Sequence, residues 1–244
     1  MKVYGGRAGF NSVIFTGQTY HSIAKMKNGT IITKTWPKKR LKKLSRVLNK
    51  IPFIRSLSFI LELILDYWKA FFLLAVFLFL SMYFMEIGEL ALLFKIYELH
   101  PIIYLLLALC IVGIIIKVTP LGKYHAAEHM VLNAYDTRHD LSLETIKKQP
   151  RTHKNCGTNF VITFCLCYGA LSIFFSEVNE LLTLLSFCVA YELWRRKPKH
   201  LWRVIFKISK RAQYYLFTSK PEDQHIQVAM AAFSELKDAE VSRN

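Results

Sequence analysis

The chain has 244 residues, 53% of them hydrophobic, with 18 Phe and 12 Tyr, yet it carries 33 Lys and Arg against 17 Asp and Glu. High apolar content beside a net charge of +16 fits a membrane protein and argues against a soluble globular chain. The basic residues are clustered, with no interleaved aromatic stripe and no nucleic-acid module, which argues against nucleic-acid binding.

Met1 to Gly9 holds three glycines and no apolar core behind a basic start, so it is not a secretory signal. Asn11 to Thr16 and Thr19 to Met26 favour strands, and Asn28-Gly29 is a two-residue hairpin turn leading into Thr30 to Trp36. Residues 1–36 therefore read as a small β-meander. Pro37 opens a basic segment, residues 37–66, in which Ile51 to Leu65 is apolar but interrupted by Arg55 and Glu62 and followed by Asp66. That pattern predicts an interfacial amphipathic helix.

Residues 67–194 read as a transmembrane core. Phe71 to Met85, extending back through Tyr67 and Trp68, and Ile102 to Val118 are strong spanning candidates. Phe160 to Phe175 and Leu181 to Trp194, joined by the acidic linker Ser176 to Glu180, are shorter than a straight span of roughly 20 residues and predict a third and fourth helix or a hairpin dipping into the bilayer. In residues 195–244, Leu201 to Phe217 mixes Trp202, Ile205, Phe206, Tyr214 and Phe217 with Arg and Lys, as an interfacial helix would. Ser219 and Pro221 mark a helix start, and Ile226, Met230 and Phe233 recur at helical spacing.

Charge placement sets the predicted topology. Lys34 to Arg55 holds nine basic residues and no acid, and Arg195 to Arg211 holds eight and no acid, whereas Glu86 to His100 has three Glu and one Lys. With four spans, the positive-inside rule puts both termini and the loop Lys117 to Asn159 in the cytoplasm, with the basic runs on anionic lipid. The predicted fold is mainly α: a polytopic plasma-membrane protein of about four transmembrane helices, with an N-terminal cytoplasmic β-meander and a C-terminal amphipathic helix. Cys110, Cys165, Cys167 and Cys188 lie in apolar segments, so disulfides are not expected.

Chemistry concentrates in the loop 119–159. In Tyr124-His125-Ala126-Ala127-Glu128-His129, helical spacing puts His125, Glu128 and His129 on one face. Two neutral imidazoles suit Zn²⁺, and the carboxylate is placed to deprotonate a bound water. The same stripe runs through Leu132 to Asp136, which is placed to orient an imidazole from behind. A second cluster, Pro150 to Asn159, sits before the third helix at the same predicted bilayer face, so the two can meet. There, His153 or Cys156 would complete the ligand set, with Arg151 as a supporting residue. Four ligands would make a closed structural site, and three plus water a catalytic one with Glu128 as the base. Against a metal, His125 and His129 would be solvated among headgroups with Glu128 paired to Lys123 or Lys154. A Cys156 nucleophile activated by His153 lacks an orienting third group. Glu192 and Asp66, ionisable residues at predicted membrane depth, are further functional candidates.

With these clusters in view the chain resembles the YqhQ-like family of bacterial membrane proteins, a domain of unknown function labelled as predicted metal-dependent enzymes. The resemblance rests on Gly5-Gly6-Arg7-Ala8, Tyr124 to His129, Arg151 to Thr158, Tyr191-Glu192, Thr218 to Asp223 and Gln227-Val228-Ala229, in that order. The family usually has Gly where this chain has Ala126, and a Gly-Val-Met-Met run where it has Ser12-Val13-Ile14-Phe15. The resemblance implies metal dependence as a label and brings no substrate. The expectation is a zinc-type divalent metal site used by a hydrolase on an anionic lipid-linked or peptide substrate; the rival is a non-catalytic scaffold whose closed metal site pins two loops.

Overall fold

Four short strands form an antiparallel sheet in sequence order: β1 (Gly5–Ala8), β2 (Ser12–Thr16), β3 (Tyr20–Lys27) and β4 (Thr30–Pro37). At the β3–β4 hairpin, Asn28 and Gly29 have φ of 50° and 78°, the positive pair that a two-residue type I′ turn demands. Pairing of Val13 with Ala24 and Phe15 with Ser22 puts all four fully buried side chains on one face. The meander predicted over residues 1–36 is present, with β1 as an unpredicted first strand.

The computed structural model describes residues 3–38, 48–66, 68–69, 71–73, 75–76, 79–80, 101–138, 140–175 and 180–242. Further elements among the described residues are α1 (Ile54–Asp66), α2 (Pro101–Val118), α3 (Pro120–Asp136), α4 (Leu143–Lys147), α5 (Gly157–Leu171), α6 (Glu180–Arg196), α7 (Lys199–Ala212), a π-helical turn (Gln213–Phe217) and α8 (Asp223–Val241). The protein is thus mainly helical with an N-terminal sheet. Contacts divide it into two units, residues 1–40, 108–163 and 197–244, and residues 41–107 and 164–196.

In the first unit, α8 lies across the sheet. Ala229 and Ala232 are small enough to let the helix approach, and Ser22 Oγ donates to the Ala232 carbonyl at 2.5 Å. Phe233 meets Phe15 edge to face, centroids 5.3 Å apart, and Tyr135 on its other side at 5.0 Å. Glu240 ties down the β2–β3 turn by accepting from the Thr19 and Tyr20 amides at 2.7 and 3.0 Å. Helix α3 starts with Pro120 after the extended Thr119, as the fixed φ of proline favours. It packs on β1 and α8, burying Val131, Leu132 and Ala134.

In the second unit, α1 packs on α6. Phe59 and Tyr191 are in ring contact at 5.3 Å, and Glu192 accepts from the Phe53 amide and pairs with Arg55 and Arg196. Both partners of the Arg55–Glu192 pair are largely shielded, so each satisfies the other's buried charge.

Among the described residues, one helix is long and apolar enough to cross a membrane: α2, 18 residues at mean hydropathy 2.7 and only 6% buried. The described residues therefore show one candidate span of the four predicted. Helices α5 and α6, with 15 and 17 residues, extend roughly 22 and 25 Å at 1.5 Å per residue, short of a hydrocarbon core of about 30 Å. Much of the predicted first span, the linker Glu86 to His100, most of the linker Ser176 to Glu180 and the middle of the basic run lie outside the described residues.

Phe233 is buried in the helix–sheet core against Phe15 and Tyr135. Phe233→Ala is expected to lower unfolding stability by about 3–5 kcal/mol, read from a denaturant titration of the purified chain; a loss under about 1 kcal/mol would contradict this packing.

Candidate metal centre

The first cluster lies on α3, where the i, i+4 relation stacks His125 above His129 with ring centroids 4.3 Å apart. Each imidazole is held from behind by a main-chain carbonyl. His125 Nδ1 is 2.9 Å from the Phe217 carbonyl, at the end of the π-helical turn, and His129 Nδ1 is 2.7 Å from the Arg151 carbonyl. A carbonyl only accepts, so both Nδ1 atoms carry a proton, and in the neutral form of each ring the lone pair is on Nε2. His129 Nε2 is fully buried and has no hydrogen-bond partner.

Cys156 faces these lone pairs from the start of α5. Its Sγ lies 3.4 Å from His125 Nε2, accepts the Thr158 amide at 3.4 Å and sits 3.3 Å from Thr158 Oγ1. The donor atoms of His125, His129 and Cys156 all fall within 4.8 Å of one another. Two imidazole nitrogens and a thiol sulfur are a donor set that zinc takes, and they lie close enough to converge on one ion with a small shift of the side chains. The orphaned His129 nitrogen fits a metal as its missing partner.

Glu128 is the adjoining carboxyl, 4% exposed, with Oε2 3.7 Å from His129 Nε2. Burial pushes it up to about 7, with nearby His125 pulling the other way. Strand β1 closes over it: a Cβ built on Gly6 would lie 2.5 Å from Glu128 Oε1, closer than real carbon contacts come. Only glycine lets the β1 backbone approach this carboxyl.

His153 stands beside the cluster, its ring 5.9 Å from that of His129, but both of its nitrogens are engaged. Nε2 pairs with Asp136 Oδ2 at 3.3 Å, and Nδ1 accepts the Asn155 amide at 3.4 Å. Burial, together with His129, holds its pKa down to about 4, against the pull of Asp136. Burial raises the Asp136 carboxyl, but hydrogen bonds from Lys154 and His153 outweigh it and leave the group below its usual range.

The structure thus brings His125, His129, Cys156 and Glu128 together and leaves His153 outside the donor set. Asp136 does orient an imidazole, that of His153. Arg151 contributes its carbonyl, while its guanidinium lies over the Tyr214 ring. Glu192 belongs to the second unit, paired as described, and nothing is described of the Asp66 side chain.

Four supports were not among the predicted site residues. Asn133, one turn beyond His129, donates from Nδ2 to the Pro150 and Thr152 carbonyls at 2.8 and 2.9 Å. Its position four residues after His129 is a legible signal. Fully buried Gln213 accepts the His153 amide at 2.8 Å and donates to the His153 carbonyl and to Asn159 Oδ1 at 3.2 and 2.6 Å. Asn159 Nδ2 in turn donates to the His153 and Lys154 carbonyls. The Phe217 carbonyl is main chain and leaves no trace in residue type.

A model of the family described as a protein of unknown function, DUF1385, matches residues 38–239, which contain every candidate ligand. The chain is similar to the uncharacterized protein YqhQ of Bacillus subtilis (strain 168), 26% identical over 137 residues, or 50% of this chain and 43% of that protein. The alignment therefore spans less than half of the relative's length. No solved structure matches.

Gly6→Ala forces the new methyl into the Glu128 carboxyl. It is expected to cost about 1–3 kcal/mol, as overpacking does, in a denaturant titration; a neutral result would mean that β1 does not seal the site.

Proposed function

The chain belongs to the YqhQ-like DUF1385 family of unknown function, and from its site we propose a zinc-type metalloenzyme, a hydrolase working at the cytoplasmic face of the plasma membrane. The observation that carries this reading is the pair of imidazoles whose Nδ1 protons are committed to carbonyls while their Nε2 lone pairs converge with Cys156 Sγ. His125, His129 and Cys156 would hold the ion, leaving a fourth position open, because His153 is tied to Asp136 and Asn155. When bound, such an ion supplies Lewis acidity toward a carbonyl or phosphoryl oxygen and toward water.

The chain's own residues supply the remaining functions. Glu128 lies within 3.7 Å of a ligand nitrogen and is placed to take a proton from water and return it to the leaving group. The β1 backbone and the buried surroundings of Glu128 exclude bulk solvent from it. Asn133, Gln213 and Asn159 fix the loop that carries Cys156, so the thiol meets the imidazoles without reorganisation. In the same reading the protein is multi-pass, with four membrane helices and both termini cytoplasmic. The exposed apolar surface of α2 and the placement of basic runs support it.

Protein purified without chelator is expected to contain about one zinc per chain, by elemental analysis. His129→Ala and Cys156→Ser should lose that metal. Glu128→Gln should keep it and abolish complementation of a deletion strain. Retained complementation by Glu128→Gln, with metal still needed for folding, would instead establish the scaffold. Metal-free wild type would overturn both. Asn133→Ala should weaken zinc binding by about 10–100-fold in chelator competition, and unchanged affinity would remove Asn133 from the site's support. A reporter fused after Asn244 should read cytoplasmic, and a periplasmic signal would refute the topology.

A further inference from the structure

Helix α7 has three faces where an amphipathic helix of a soluble domain has two. Ile205, Ser209 and, continuing the same row, Gln213 are buried. Leu201, Val204 and Ile208 recur at spacings of three and four and are nevertheless 47, 58 and 40% exposed. Beside that stripe lie Lys207 and Arg211, with Arg203 and Lys210 further round, and the helix contains no acidic residue. A helix that only packed on its domain would not leave such a stripe exposed next to cations that meet no acid on their own helix.

We infer that the outward side of α7 seats on an anionic lipid surface, with Leu201, Val204 and Ile208 inserted at the headgroup–acyl boundary and Lys207 and Arg211 on lipid phosphates. An apolar row bordered by a purely basic one is the composition that binds such an interface, since burial and charge attraction add. The neighbouring chain agrees. Within the first unit, Lys117 at the end of α2 donates to the Tyr215 carbonyl at 2.6 Å, and Gly113 of α2 faces Leu216 with no room for a side chain. The continuation of α7 therefore rests against the end of the one described helix that can cross a bilayer. Nucleic acid would use the cations and leave the apolar row unexplained. The inference stands independently of the metal reading.

The test uses tryptophan as a depth probe in the full chain, reconstituted in nanodiscs of phosphatidylglycerol or of phosphatidylcholine. Leu201→Trp and Val204→Trp each place the probe on the stripe, and Lys210→Trp places it on the basic side. In phosphatidylglycerol discs the first two should gain blue-shifted emission quenched by brominated lipid, whereas Lys210→Trp should stay open to aqueous acrylamide. The lipid quenching should fall in phosphatidylcholine and be lost on adding Lys207→Glu and Arg211→Glu. Acrylamide reaching all three probes equally, lipid quenching indifferent to headgroup charge, or protection of the stripe by duplex DNA instead of lipid would overturn it. Two independent stripe positions keep the result readable if one variant fails to fold.

Discussion

The site depends on one constraint, the commitment of two histidine protons to main-chain carbonyls. His125 and His129 occupy successive turns of α3, and each gives its Nδ1–H to a carbonyl from a different segment, Phe217 in one case and Arg151 in the other. Those bonds choose the tautomer, fix the ring planes and turn two lone pairs toward Cys156. Without the carbonyls, the same residues on the same helix would be two freely rotating imidazoles.

The carbonyls are held in place by a buried polar network. Gln213 bonds the amide and the carbonyl of His153 and reaches Asn159, which donates to that same carbonyl and to that of Lys154. Unpaired, these groups would each cost about 1–3 kcal/mol of desolvation; paired, they give the loop a single conformation. The π-helical turn follows from this arrangement. Its widened register lets Gln213 point inward while Phe217, four residues on, offers its carbonyl to His125.

Local order was legible in the sequence, and long-range assembly less so. The Asn28-Gly29 hairpin, the strands over residues 12–16, 20–27 and 30–37 and the helical stripe of His125, Glu128 and His129 follow from neighbouring residues alone. Strand β1 was not legible, because two of its four residues are glycines, poor strand formers that serve here for close approach to Glu128. The choice between His153 and Cys156 was also invisible, because spacing says that both are near and says nothing about Asp136 capturing one of them. Helix length was not legible from the apolar runs either: α5 stops at Leu171, before its run ends at Phe175, and α6 runs on past its apolar stretch to Arg196. The carboxylate of Glu192 looked functional from its depth, and its pairing with Arg55, far away in sequence, could not be read from composition.

The seal of β1 over Glu128 has a consequence for biosynthesis. Residue 6 leaves the ribosome long before residue 128, and the sheet's inner face waits longer still for α8, which begins at residue 223. The carboxyl's pocket joins residue 6 to residue 128, on a sheet whose cover follows both. Such distant pairing is slow to form. The Glu128 carboxyl therefore stays unenclosed during translation, and its surroundings are complete only after α8 has been synthesised.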